Sequence, residues 1–217
     1  MMSDNLLNFP AFTIFDRVMP KTAFYSHLGA NARMKSLFVE CIEQIVWLYK
    51  LAPSNLHIAD GNDVHEIDIL RIRLKRKTDD ILEVCSFIDS LSPRHTLFII
   101  ECDEQYRLLV NYKRWKDAKA GTFDVIKTFM SSQLSLELGS FSSMDSLYES
   151  LVRQVASTQI SSSRPDLHQA VMETKEAEAV KKEMEGIRKR EARERQPQKK
   201  FALHQEYLRL KARLDRL

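Results

Sequence analysis

The sequence predicts an α+β fold: a mostly antiparallel sheet covered by helices, followed by a C-terminal antiparallel helical hairpin with coiled-coil-like spacing. Three observations predict it. The apolar period switches along the chain between three-to-four residues, as in 34–48, and two, as in 67–74 and 108–112. From Pro165 onward the composition shifts to Glu, Lys, Arg, Ala and Leu, with Phe201 and Tyr207 the only aromatic residues and Gly186 the only glycine. Finally, an apolar fraction of 44% in 217 residues is enough to bury a core of ordinary size. The division expected is a globular domain over 1–156, a Ser-rich linker over 157–164 and a basic helical hairpin over 165–217.

Each element has its own signal. Residues 1–30 read as extended or irregular, punctuated by Pro10 and Pro20, with a short helix opening after Pro20. Met34, Leu37, Phe38, Cys41, Ile45 and Leu48 then recur at helical spacing, so one helix is expected from Asn31, its cap, until Pro53 ends it. Asp60-Gly61-Asn62-Asp63 marks a turn. A strand follows in which the apolar parity flips between Ile69 and Leu70, predicting either a bulge or burial on both faces. Ile81, Val84, Cys85, Ile88 and Leu91 predict a helix over 79–91, closed by Ser92-Pro93. The run 96–100 is the expected central strand and pairs with Leu108, Val110 and Tyr112 as a hairpin; a further strand is expected over 123–130. Ser142 or Ser143 caps a helix carrying Leu147, Leu151, Val152 and Val155.

The C-terminal segment breaks once, at Arg195-Gln196-Pro197-Gln198-Lys199-Lys200. A first helix over 165–195 would be roughly 46 Å long. The second, over 198–217, carries Leu203, Tyr207, Leu210, Leu214 and Leu217 as a heptad seam. Two such helices around a tight break fold back on each other most simply. Homodimerisation through the same seam is the alternative, disfavoured because so few heptads make a weak dimer.

The net charge of +3 hides an asymmetry. Residues 181–217 hold 13 Lys/Arg against 6 Asp/Glu, leaving 20 against 24 for the rest. A basic tail on a mildly acidic body favours an anionic partner, nucleic acid or an acidic protein face; the plain alternative is a solvated charged helix. Cys41, Cys85 and Cys102 lie in apolar runs without short spacing and read as reduced core residues of a cytoplasmic protein. No apolar stretch reaches the roughly 18–20 residues of a membrane span, and the N-terminus lacks the pattern of a signal peptide, so no membrane partner is expected.

The chemistry-bearing motifs are few. The five glycines are scattered, so no phosphate-cradling loop is predicted, and no Cys or His pair has zinc spacing. Neither cofactor nor metal is expected. Among carboxylates, Glu66, Asp68 and Glu101 are the set to weigh for metal-dependent hydrolysis, with Lys75 and Lys77 nearby, but an acidic residue two before a lysine on a buried strand is lacking at both places. The basic signal is stronger. Arg188, Lys189, Arg190, Arg193, Arg195, Lys199 and Lys200 crowd the predicted hairpin tip, and Arg71, Arg73, Lys75, Arg76 and Lys77 run along a strand. Such clusters suit phosphate contacts that track a backbone without reading sequence. No aromatic series is interleaved with them, which argues against a platform for stacking bases; Trp115 stands alone.

Pro20-Lys21-Thr22-Ala23-Phe24-Tyr25, Lys50-Leu51-Ala52-Pro53-Ser54 and above all Arg193-Glu194-Arg195-Gln196-Pro197-Gln198-Lys199-Lys200-Phe201-Ala202-Leu203-His204-Gln205-Glu206 resemble an uncharacterised prokaryotic family, the domain of unknown function numbered forty-three ninety-one. The resemblance covers nearly the whole chain and is most specific in the tail. It implies an accessory subunit of a DNA-targeting restriction or anti-phage complex, since members are encoded beside helicases of the Swi/Snf type and DNA methyltransferases. It brings no catalytic residues. The reading is therefore a non-enzymatic interaction subunit docking a helicase or methyltransferase, with two alternatives: a metal-dependent nuclease, or a sequence-independent DNA-binding subunit.

Overall fold

The structure, a computed structural model, describes Leu7 and residues 9–27, 29–117, 121–160 and 164–217; residues 1–6 and 161–163, which belong to the expected irregular start and Ser-rich linker, lie outside the described residues. The chain divides into two compact units, Met1–Ser157 and Thr158–Leu217.

In the first unit, a short 3-10 turn leads into β1 (Ile14–Met19), and α1 (Lys21–His27) and α2 (Ala32–Cys41) precede β2 (Ile42–Leu51). One helical turn, α3 (Pro53–Leu56), and a loop lead to β3 (Ile67–Leu74). Then come α4 (Ile81–Leu91), β4 (His95–Cys102), β5 (Gln105–Asp117), β6 (Thr122–Ser131) and α5 (Met144–Val155). The six strands lie side by side in chain order. All neighbours are antiparallel except β3 and β4, which are parallel and joined by α4, as a parallel pair requires a crossover.

The expected α+β architecture forms, with two corrections near its start. The helix that opens at Asn31 ends at Cys41, and residues 42–51 are a strand. Asn31 does cap the helix, its Oδ1 accepting from the Met34 N–H at 2.8 Å. Ile45 and Leu48 continue the helical spacing only by coincidence: β2 is a strand buried along most of its length, rich in β-branched and aromatic residues that favour a pleated surface. The second concerns β1, in a stretch expected to be extended or irregular, where the chain is a paired strand. It is an exposed edge strand with a register shift between Ile14 and Arg17 and Asp16 at φ 42°, so no alternation marks it.

The parity flip in β3 has a clear origin. Ile67 to Leu70 are all buried, so both faces of the strand are covered there. The bulge lies in the partner: β2 pairs Trp47 with Leu70 and Tyr49 with Ile69, leaving Leu48 as the extra residue. Side chains alternate across a strand. Leu70, Ile72, Phe98, Ile100 and Leu109 therefore meet Met34 and Phe38 of α2 and Ile81, Val84, Cys85 and Ile88 of α4 in one core. On the other side, α5 brings Tyr148 edge-on to His95, centroids 4.4 Å apart. Asp103 and Glu104, both at positive φ, make the two-residue turn between β4 and β5. Ser143 caps α5 through Ser146 N–H at 3.3 Å.

The second unit consists of α6 (Leu167–Arg193) and α7 (Pro197–Leu214), packed together. Glu176 pairs with Arg213 at 2.6 Å, Glu191 with His204 at 3.3 Å, and Arg190 with Glu206 at 3.9 Å. Early residues of α6 thus face late residues of α7, which fixes the antiparallel sense. Val180, Met184 and Ile187 are buried at spacings of four and three. On α7 only Leu203, Tyr207, Leu210 and Leu214 escape full exposure, again at four and three, while Leu217 of the expected seam is exposed. No helix among the described residues is long and apolar enough to cross a membrane.

Candidate functional site

The cations predicted at the tip of the helical hairpin gather where α6 ends and α7 begins. Glu194 shapes the turn: its Oε1 accepts from the backbone N–H groups of Arg195 and Gln196, both at 2.8 Å. Those bonds, led by the one from Gln196, hold its carboxyl below the ordinary range. Pro197 then starts α7, where its missing N–H costs nothing. Arg190, Arg193, Glu194, Lys199, Ala202, Leu203 and Glu206 line an open groove of about 540 Å³. Arg188 lies over the Tyr207 ring, 4.6 Å from its centroid, and Arg190 reaches Glu206. Lys189, Arg193, Arg195, Lys199 and Lys200 are exposed and form no ion pair with any described residue.

The basic run on β3 is arranged differently. Arg73 Nε donates to Glu101 Oε1 at 2.9 Å, Arg71 Nε lies 3.8 Å from Glu101 Oε2, and Lys75 Nζ donates to the Val39 carbonyl at 2.8 Å. These three side chains are engaged inside the first unit.

The carboxylates weighed for hydrolysis separate into two places. Asp68 stands opposite Thr96 in the β3/β4 register, and Glu101 opposite Arg73. Five residues along a strand is roughly 17 Å. Glu66 and Asp68 do come together, because Arg94 binds Glu66 at 3.0 Å and Asp68 at 3.4 Å, while Lys50 holds Glu66 at 2.8 Å. The loop that delivers them is anchored by Asp145 of α5, whose carboxylate accepts from the N–H groups of Asn62, Asp63 and Val64. Gly61 is required in that loop, since a Cβ there would collide with Val64 O and Asp145 Oδ1. Among the described residues no group of three or more His, Cys, Asp or Glu side chains is placed to hold a metal ion.

Sequence reasoning missed the polar cluster beside Asp68. Lys113 is fully buried 3.3 Å from Asp89, and its Nζ donates to the carbonyls of Asp89, Ser92 and Arg94 at 2.8, 3.0 and 2.6 Å. Three carbonyls need three N–H donors, so this lysine is an ammonium. Asn111 donates to Asp89 Oδ2 at 2.7 Å. Burial pushes the Asp89 carboxyl up and the Lys113 ammonium down from their ordinary values, and each opposes the other's shift. Burial also raises Asp68 to about 7, against the opposing pull of Arg94, and lowers His95 to about 3. A sequence signal existed: Asp89 falls on the apolar face of α4, four residues after Cys85.

Comparison with known proteins agrees with the tail and body motifs. No curated protein and no solved structure matches the chain significantly. A family model does match, over residues 7–214. That is nearly the whole chain, and it places the protein in the family described as Domain of unknown function (DUF4391).

Proposed function

We propose that this chain is a non-catalytic interaction subunit whose helical hairpin holds a phosphate backbone, within a DNA-targeting complex of the restriction or anti-phage kind. The observation that carries the reading is the set of exposed tip cations that form no ion pair with any described residue: Lys189, Arg193, Arg195, Lys199 and Lys200. Lysine and arginine exposed at a helical tip reach phosphates without base contacts, so affinity is salt-sensitive and indifferent to sequence. The first unit is then the surface that docks a helicase or a DNA methyltransferase, the partners that the family resemblance implies.

The test is binding of the full chain to a labelled DNA duplex across a salt series. Log affinity is expected to fall linearly with log salt, and Arg193→Ala with Lys199→Ala to flatten the slope by about two while weakening binding at every sequence. Unchanged binding in the double variant removes the hairpin from the proposal. The same samples incubated with Mg²⁺ or Mn²⁺ report on the nuclease alternative: strand cleavage that is lost in Asp68→Asn would replace the non-catalytic reading.

A further inference from the structure

Asp68 also borders a cavity that the hairpin reading does not use. The cavity holds about 200 Å³ between β1, α1, β2, β3, the end of α4 and the start of β4. Its walls are mainly apolar: Met19, Phe24, Trp47, Leu70, Ile88 and Leu91. In general a dry apolar cavity of about 150 Å³ accepts a benzene ring. This one has room for a six-membered ring with a substituent.

The wall is held in place before any ligand arrives. Trp47 packs on Phe15 with centroids 4.3 Å apart, carries Arg94 5.2 Å above its ring and donates its indole N–H to the Tyr49 carbonyl at 3.0 Å. Arg94 and Asp68 supply the charged part of the lining, and Asp68 is the acceptor among them. Asp68 is 7% exposed, yet its Oδ1 meets no donor among the described residues and its other oxygen has one long contact, 3.4 Å from Arg94. A carboxylate so deeply placed ordinarily accepts several hydrogen bonds. Charge limits what can supply one. Above about pH 7, where Asp68 is ionised, Arg94 and Lys50 balance Glu66 and Asp68, so a further cation would be buried uncompensated. An anion would face Asp68 directly.

We propose that this cavity is a binding site for a small uncharged aromatic amine, its ring among Phe24, Trp47 and Leu70 and its amino N–H donating to the Asp68 carboxylate. The site takes the class of ring that carries an exocyclic amino group. It is independent of the hairpin and of any nucleic-acid contact made there.

Four ring probes of similar size separate the chemistry: aniline, toluene, benzylamine and benzoate, each titrated at pH 8, where Asp68 is ionised, into the ¹⁵N-labelled full chain. The two indole N–H signals, from Trp47 and Trp115, report location. Aniline is expected to saturate a shift of the Trp47 signal with Trp115 unmoved, and to bind about tenfold more tightly than toluene. Benzylamine and benzoate are expected to bind more weakly than aniline. In Asp68→Leu the aniline and toluene affinities should come within about twofold of each other. If that variant does not fold, the isosteric Asp68→Asn, which replaces one acceptor oxygen with a donor, should lower the ratio at least about threefold. Equal binding of aniline and toluene to the wild type, a preference for benzoate, or no saturation by either neutral ring overturns the proposal.

Discussion

Asp68 and His95 come from adjacent strands with their side chains on opposite faces of the sheet, and their titrations oppose each other. The folded state keeps the Asp68 proton up to about pH 7, whereas the unfolded chain releases it near 3.8. Asp68 therefore contributes stability that is full below pH 3.8 and lost as pH rises through 7. His95 stays neutral in the fold down to about pH 3, against 6.5 when exposed, so its contribution is lost as pH falls below 6.5. Asp68→Asn, which cannot ionise, should raise stability by about 1–3 kcal/mol at pH 8 and by little at pH 4, measured as urea midpoints at both. An equal shift at the two values would mean that Asp68 is ionised throughout. Neither residue announced this behaviour in the sequence. Asp68 sits in the strand whose parity flip predicts either a bulge or burial on both faces, and nothing in the sequence marks its carboxylate as one enclosed beside α4 and Arg94.

At the scale of elements, the C-terminus of α4 depends on a side chain from β5. Lys113 binds the carbonyls of Asp89, Ser92 and Arg94 in place of a glycine cap. Lys113→Met would leave those carbonyls and Asp89 without their cation and should cost about 3–5 kcal/mol. Adding Asp89→Leu should restore part of that loss, a positive coupling readable in a double-mutant cycle of denaturation midpoints. Legibility also divides at this scale. α4 and α5 were readable because each has one buried face at helical spacing, and β4 because a short continuous apolar run ends in a turn. β2 was not, because Ile45 and Leu48 carry the spacing of the preceding helix into a strand. β1 was not either, because an edge with a bulge never had an alternation. The helical hairpin was read almost to the residue, since the break before Pro197 and the seam on α7 are local signals that need no tertiary partner. The cavity at Asp68 was illegible, as its walls come from six separate elements.

For the whole molecule, position of charge should matter more than its amount. Lys211, late in α7, and Arg216, just past its end, add to the basic balance but lie roughly 20–30 Å from the tip by helical rise. The screening length is about 8 Å at physiological salt. Lys211→Ala with Arg216→Ala should therefore leave the salt slope of DNA binding nearly unchanged, although it removes as many cations as the tip pair. A slope flattened equally by both pairs would point to diffuse attraction in place of a defined contact. The sheet has a different kind of order. Because every strand bonds to its immediate predecessor in sequence, each pairing closes only a short length of chain. Assembly can proceed like a zipper from any hairpin outward, with no strand forced between two already joined. Such a layout also leaves the entering and departing ends of the sheet on opposite rims, about 24 Å apart across five strand spacings, so a reporter fused ahead of β1 stands a full sheet width from β6.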